Sequence, residues 1–218
     1  IAAGVGTVNI FKDVDVRPLL LVPVLALLAW PLVGSGSTWL TLTVAGLAMG
    51  TIIFIMASGL TLVFGLMDVL NFGHGLFIAL GAFVATSVLG SMSDWTGSAS
   101  WLMNLAAVLP AMLVAMAVSG AVGLAFERFI VRPVYGQHLK QILITMGGMI
   151  IGEELIKVIW GPLQIALPLP EAMRGSVFWG EAAIEKYRLL AVMVGLALFA
   201  GQMWVLGRTK IGLLIRAG

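Results

Sequence analysis

The sequence contains no cysteine and few charged residues. Without cysteine, its 218 residues cannot form a disulfide or a thiolate metal site. Charged residues make up only 10% of the chain, against roughly 25% in an average soluble domain, whereas 61% of the residues are hydrophobic. The 12 Lys and Arg residues nearly balance the 10 Asp and Glu residues, so the basic excess typical of a nucleic-acid-binding protein is missing. This composition indicates an integral membrane protein and excludes a nucleic-acid partner.

Hydrophobic segments long enough to cross a bilayer occupy most of the chain. A spanning helix needs about 20 mainly apolar residues, and no segment alternates apolar and polar residues as a strand of a membrane barrel does. We therefore predict an all-α, polytopic helix bundle with at least six spans, forming a single transmembrane domain over residues 1–218. The predicted spans are Pro18–Val33, Trp39–Phe64, Phe72–Leu89, Trp101–Phe126, Ile142–Ile159 and Leu189–Leu206.

The basic residues predict the orientation of these spans. They concentrate in residues 127–141 and 207–218, two segments that are separated by two spans and therefore lie on the same side. An excess of Lys and Arg marks the cytoplasmic side. The N-terminus is then cytoplasmic, and residues 90–100 and 161–188 lie outside. The basic residues concerned are Arg128, Arg132, Lys140, Arg208, Lys210 and Arg216.

The polar side chains best placed for transport lie between the second and third spans. Residues 39–89 contain only two ionisable groups, Asp68 and His74, and both lie with Asn71 in the connector 65–75. Polar groups are costly in a bilayer, so we expect them to face protein, water or a solute. The connector is either a cytoplasmic loop or a break in the helices near the membrane midplane. We predict a substrate pathway or gate formed by Gly65, Asp68, Asn71, Gly73, His74 and Gly75.

Two roles remain open for His74. It either caps or gates the start of the third span, or it contacts the solute directly. Asn71 is predicted to be the N-cap of that span. No second His and no Cys lies nearby, so we assign no metal site. An intramembrane serine protease would need Ser58 as nucleophile and His74 as base, but Ser58 lies deep in a predicted helix, and no catalytic residue is assigned.

A second group of charges lies in the fifth predicted span. Glu154 and Glu153 stand three and four residues before Lys157, a spacing at which either carboxylate reaches the ammonium group on a helix. The group either lines a polar pathway or neutralises itself near the outer surface. Small-residue pairs at Gly46 and Gly50, and at Gly148 and Gly152, are typical of close helix packing, which we expect to be within this chain.

Several motifs resemble one known family of membrane proteins. Residues 59–75 read GLTLVFGLMDVLNFGHG, residues 127–133 read ERFIVRP, residues 160–162 read WGP, and residues 208–217 read RTKIGLLIRA. In this order and at these spacings they resemble the LivH-type permeases of bacterial branched-chain amino acid ABC importers. Gly73 replaces the usual Ala of that family, and Leu76 stands where many members have Glu. The family also includes importers of urea, amides and aromatic acids, so the substrate stays open.

The resemblance implies a permease subunit of an ATP-driven importer in the bacterial inner membrane. It implies as partners a second, LivM-like permease, two ATP-binding subunits that carry ATP and Mg, and a periplasmic substrate-binding protein. This chain itself would bind no cofactor and hydrolyse no ATP, since it has no phosphate-binding loop. Family members continue beyond the point where this sequence stops, so we expect Gly218 to lie at the start of a coupling loop. The expected ATPase-docking residues are Arg208, Lys210, Gly212, Leu213, Leu214, Ile215 and Arg216.

The alternative function is a channel or an ion-coupled secondary transporter for a small polar solute. Both would use a polar connector between apolar helices without an ATPase. A proton-coupled carrier needs an essential carboxylate in the membrane, for which the candidates are Asp68, Glu153 and Glu154.

Overall fold

The computed structural model describes residues 17–67, 69 and 71–209, most of which are helical. Seven α-helices follow one another along the chain, and a π-helical turn and a 3-10 turn continue the fifth. The helices are α1 (Arg17–Val33), α2 (Gly36–Met67), α3 (His74–Ser91), α4 (Ser93–Thr96), α5 (Trp101–Phe126), α6 (His138–Trp160) and α7 (Lys186–Arg208). The two turns are Glu127–Val131 and Arg132–Val134, and another 3-10 turn lies at Glu171–Met173.

Each of the six predicted spans corresponds to one of the long helices. Four of the described helices are long and apolar enough to cross a membrane, namely α2, α3, α5 and α7. The apolar part of α1, Leu20–Val33, is shorter than a spanning helix needs. Helix α6 carries Glu153, Glu154 and Lys157 in its second half, which lowers its hydrophobicity. The described helices therefore support four spans.

A β-hairpin lies in the segment before α7, which the all-α prediction did not include. Strand β1 (Ser176–Trp179) pairs antiparallel with β2 (Ala182–Glu185), with Val177 opposite Ile184. The turn between them contains Gly180 at φ +63°, a left-handed conformation that glycine adopts without a steric penalty. Each strand has only four residues, too few for an alternating pattern to stand out in the sequence. Ala182 and Ile184 of β2 are buried.

The described contacts divide the chain into two compact units, one taking in the described parts of Ile1–Ile55 and Gly175–Gly218 and the other Met56–Arg174. In the first unit, the Trp39 indole N–H donates a 2.6 Å hydrogen bond to the Ala26 carbonyl, which ties α2 to α1. The rings of Phe54 and Phe199 meet edge to face at 5.4 Å between α2 and α7. In the same pair of helices, a Cβ on Gly195 would overlap the Thr51 side chain.

In the unit Met56–Arg174, α3 packs along α5 on a row of small residues. The row repeats every fourth residue of α5, so it forms one continuous stripe on the helix surface. Small residues let helix backbones approach closely in membrane proteins. Opposite this stripe, Leu89 packs on Ala107 and Ala111, and the Phe77 carbonyl accepts a 2.8 Å hydrogen bond from the Ser119 hydroxyl. The residues of the stripe are Ala107, Ala111, Ala115, Ser119 and Gly123.

Helix α6 joins this unit through its two spaced glycines. A Cβ on Gly148 would overlap the ring of Phe126, and one on Gly152 would overlap the side chain of Leu76. The expectation that this pair serves packing within the chain is therefore confirmed. Gly46 and Gly50 differ, since a Cβ on either would meet no described atom within 4 Å.

Candidate functional site

The described part of the connector is shorter than predicted because both flanking helices extend into it. Helix α2 continues through Gly65 to Met67, since the apolar residues after Phe64 extend its hydrophobic run. Helix α3 begins at His74, which places Gly75 inside the helix as well. Neither Gly65 nor Gly75 has a described atom within 4 Å of the position a Cβ would take. Of the three glycines expected to flank the polar residues, only Gly73 lies outside a helix.

Asn71 organises the turn that leads into α3, but it is not the N-cap. That position belongs to Gly73, which has no side chain to cap the helix. Asn71 lies two residues earlier, and its Oδ1 atom accepts a 2.9 Å hydrogen bond from the Gly73 N–H. Asn side chains commonly bond a backbone N–H two residues ahead in this way. A Cβ on Gly73 would lie 3.1 Å from that oxygen, so the tight turn suits the glycine that replaces the family's usual alanine.

Two buried polar residues of α6 hold this turn and the segment after α5. Thr145 is fully buried, and its hydroxyl accepts a 3.4 Å hydrogen bond from the Phe72 N–H while donating at 2.7 Å to the Gln141 carbonyl. Gln141 is 1% exposed and donates from Nε2 to the Val134 carbonyl at 3.2 Å. Neither residue was among the site residues predicted from the sequence. Their spacing of four on an apolar helix was a signal, because it places two polar side chains on one face.

His74 lies against the backbone of α2. A Cβ on Gly59 would be 3.1 Å from both Cε1 and Nε2 of the imidazole, so the glycine allows this close approach. The ring is half-buried and lies at the first position of α3. His74 therefore joins the end of α2 to the start of α3, where a small movement of either helix would move the ring.

Asn71 and His74 line a small cavity of about 200 Å³. The third polar residue in its wall is Glu127, and the remaining wall is apolar. The cavity is smaller than the ~300–1,000 Å³ of a drug-sized site, so its size matches a small solute or a gate. Its apolar wall consists of Val63, Val69, Phe77, Gly123, Phe126 and Val131.

Glu127 lines the cavity, and the connector alone did not reveal it. It begins a π-helical turn, a rare element that often occurs at functional sites. Its carboxylate accepts a 2.6 Å hydrogen bond from the Tyr135 hydroxyl. Loss of hydration, followed by the hydrogen bond and the charge of Glu127, raises the pKa of Tyr135 to about 12. A tyrosine is protonated at neutral pH even at its ordinary pKa, and the raised pKa keeps the phenol a hydrogen-bond donor to the carboxylate at higher pH as well.

Several predicted site residues lie outside the described structure. Asp68 is one of them, and so are all the predicted docking residues after Arg208. Arg208 itself is the last residue of α7 and is exposed. The structure thus brings Asn71, His74 and Glu127 together in the cavity wall, and it places Gly73 and Thr145 at the adjoining turn. It leaves Gly65 and Gly75 in helices, without a described neighbour at the Cβ position.

Apolar helices of membrane-spanning length define a polytopic membrane protein, and one helical unit carries at its end a small, mainly apolar cavity with three polar residues in its wall. The lipid-compatible exterior supports this class, since large apolar side chains such as Leu102 and Val158 are 80% exposed. Sequence comparison then places the chain more narrowly. It belongs to the family of permease components of branched-chain amino acid transport systems, whose sequence profile matches residues 42–218.

The similar proteins of known function carry the same description. Over 124 residues the chain is 28% identical to the high-affinity branched-chain amino acid transport permease LivH of Salmonella typhimurium and 27% identical to LivH of Escherichia coli. These matches cover 56% of this chain and 39% of each relative. The chain is 24% identical to the permease BraD of Pseudomonas aeruginosa over 180 residues, which cover 80% of this chain and 57% of BraD. The chain therefore spans well under two thirds of the length of these relatives, and no solved structure matches it significantly.

Proposed function

We propose that this chain is part of the permease subunit of an ATP-driven importer in the bacterial inner membrane. Its substrates would be branched-chain amino acids or a related small polar solute such as urea, an amide or an aromatic acid. The observation that carries the proposal is the 200 Å³ cavity lined by Asn71, His74 and Glu127, which lies within the segment that matches the permease family. The cavity serves as part of the solute pathway or as its gate.

The membrane topology belongs to the same proposal. Helices α1 and α6 would cross the bilayer in addition to the four more apolar helices, giving at least six spans with a cytoplasmic N-terminus. Helix α6 supports this through its length of 23 residues, which rise about 35 Å and exceed the ~30 Å hydrocarbon core. The exposed Arg128, Arg132 and Lys140 lie beside the cavity end of α5 and α6, so the cavity would open toward the cytoplasm.

The partners are a second, LivM-like permease subunit, two ATP-binding subunits and a periplasmic substrate-binding protein. ATP and Mg would be bound by the ATP-binding subunits, and this chain would bind no cofactor. The segment from Arg208 to Arg216 would dock on an ATP-binding subunit. Its composition supports this role, because Leu213, Leu214 and Ile215 are apolar anchors between basic residues, a combination suited to a helix lying in a groove.

A double substitution tests the docking segment. In the full-length protein, Leu213→Asp with Ile215→Asp should abolish co-purification of the ATP-binding subunits and substrate-stimulated ATP hydrolysis, because two charges would replace the apolar anchors. Insertion of the permease in the membrane should be unchanged. The matched control is Leu213→Ile with Ile215→Leu, which keeps an apolar anchor at both positions and should retain ATPase recruitment. Normal stimulated hydrolysis by the Asp variant would show that the segment anchors to lipid headgroups instead.

A further inference from the structure

A second cleft lies in the unit Met56–Arg174, away from the connector cavity. It has a volume of about 350 Å³ and lies between the middle of α3 and the last two turns of α6, closed on one side by the residues after α6. Trp160 fixes the two helices here, since its indole N–H donates a 2.8 Å hydrogen bond to the Ser87 hydroxyl and its ring lies 5.4 Å from that of Phe83. The cleft is therefore held by contacts at the end of α6.

The cleft combines an apolar wall with two opposite charges. Ala79, Phe83 and Ile156 contribute apolar surface, and Glu153 and Lys157 contribute a carboxylate and an ammonium group. These two residues are four apart on α6, which places their side chains on the same face of the helix about 5–6 Å apart at Cβ. The apolar wall can contact an apolar side chain of a ligand, and the two charges can pair with the opposite charges of a zwitterion.

The neighbouring ion pair does not use Glu153. Lys157 Nζ lies 2.6 Å from Glu154 Oε1, and Glu154 does not line the cleft. Both members of that pair are more than half exposed, so the pair is weak in water and an incoming carboxylate can compete for the Lys157 ammonium group. Glu153 remains directed at the cleft and can receive an ammonium group.

We infer that this cleft binds a zwitterionic α-amino acid with an apolar side chain, as a site separate from the connector cavity. Glu153 pairs with the ammonium group, Lys157 with the carboxylate, and the substrate side chain lies against Phe83 and Ile156. The inference rests on the proposed function for its setting, because the proposed topology puts this end of α6 toward the periplasm, where a substrate arrives.

Ligand analogues that lack one charge test each contact separately. The measurement is equilibrium binding of radiolabelled L-leucine to the purified full-length transporter in lipid nanodiscs, without the substrate-binding protein, with competition by leucinamide or 4-methylpentanoate. Leucinamide keeps the ammonium group alone, and 4-methylpentanoate keeps the carboxylate alone. Each charge-assisted contact should contribute about tenfold in affinity, so wild-type protein should bind leucine more tightly than either analogue.

The variants should then show a crossed pattern. Glu153→Gln should weaken leucine and leucinamide about tenfold and leave 4-methylpentanoate unchanged, whereas Lys157→Gln should weaken leucine and 4-methylpentanoate and leave leucinamide unchanged. A merely structural role for these charges would change all three ligands alike. Glu154→Gln is the matched control, since it removes the neighbouring carboxylate outside the cleft and should bind all three at least as well as wild type.

Two outcomes would overturn the site. One is wild-type affinity for all three ligands in both variants, and the other is an absence of leucine binding to wild-type protein. ATP-driven leucine uptake by the same preparation with its binding protein separates the two proposals. Uptake of leucine without the crossed pattern would contradict the binding site in the cleft but not the importer function. A lack of uptake of any amino acid would contradict both the amino-acid importer and the binding site.

Discussion

The fully buried polar side chains form hydrogen bonds mainly with backbone groups of loops and turns. Asn104 is 0% exposed and bonds three backbone groups, donating to the carbonyls of Trp95 and Ser98 and accepting from the Ala172 N–H at 2.8–2.9 Å. Thr145 and Gln141 bond the backbone of the connector and of the segment after α5. Breaking one of these hydrogen bonds would leave a buried polar group unsatisfied at a cost of about 1–3 kcal/mol, so each bond favours one loop arrangement. Gln141 is satisfied only in part, because its buried Oε1 has no partner among the described residues.

Only some of these polar residues could be recognised as site residues from the sequence. Asn71 and His74 were identified because polar side chains are rare between two apolar runs, and the structure places both at the cavity. Their partners could not be identified in the same way. Thr145 bonds Phe72 across 73 positions of the chain, and no local pattern connects two residues so far apart. Glu127 was visible in a motif, but its position in the cavity wall depends on the packing of α5 against α3.

Substitutions of His74 test the proposed gate. His74→Ala should lower ATP-driven leucine uptake by the full-length transporter about fivefold, since a hydrogen-bonding group worth about 1 kcal/mol leaves the cavity wall. His74→Asn should retain more uptake than His74→Leu, because only Asn keeps a hydrogen-bonding side chain. Wild-type uptake in all three variants would reject a gate at His74.

Gly59 offers an independent test of the same contact from the opposite helix. In Gly59→Ala, the new Cβ would lie 3.1 Å from the imidazole, so the His74 ring must shift by a few tenths of an ångström. Uptake should fall, although less than in His74→Ala. Gly50→Ala is the control, because its Cβ on the same helix would meet no described atom within 4 Å, and it should transport as wild type.

At the scale of elements, hydrophobicity predicted the helices well and their packing only partly. Each long apolar run became a helix because a bilayer or an apolar interior requires internal backbone hydrogen bonds. The small-residue stripe from Ala107 to Gly123 was not predicted, because small residues at every fourth position do not interrupt a hydrophobic run. The hairpin was not predicted for a different reason. Its register depends on the turn at Gly180 and on the burial of Ala182 and Ile184, and strands of only four residues do not show either feature in the sequence.

The glycine contacts of α6 give a prediction about helix packing. Gly152→Ala and Gly148→Ala should each destabilise the protein by about 1–3 kcal/mol, because the added Cβ overlaps Leu76 or Phe126 in a packed interface. Gly147→Ala is the matched neighbour, since its Cβ would enter open space and alanine favours a helix by up to ~1 kcal/mol. Thermal-denaturation midpoints of the purified variants in one detergent provide the measurement. Equal midpoints for Gly147→Ala and Gly152→Ala would contradict close packing of α6 on α3.

The helical unit Met56–Arg174 has two different ends, because α5 runs antiparallel to α3 and α6. The start of α3, the end of α5 and the start of α6 carry the cavity and the exposed Arg128, Arg132 and Lys140. The opposite ends carry the turns around Ser98 and Ala172 that Asn104 connects. The proposed gate at one end and the loop platform at the other suit the proposed importer, which would receive solute on one side and release it on the other.

The orientation of these two ends is open to a direct chemical test. The sequence contains no cysteine, so a single introduced cysteine is the only thiol among these residues. Ala99 lies in the exposed turn near Asn104, and Gln137 lies exposed at the start of α6 beside the basic residues. Because Lys and Arg mark the cytoplasmic side, Ala99→Cys should react with a membrane-impermeant maleimide in intact spheroplasts, whereas Gln137→Cys should react only after permeabilisation. The reverse pattern would invert the proposed topology, move the cavity to the periplasmic side and remove the basis for an ATPase-docking segment on the cytoplasmic side.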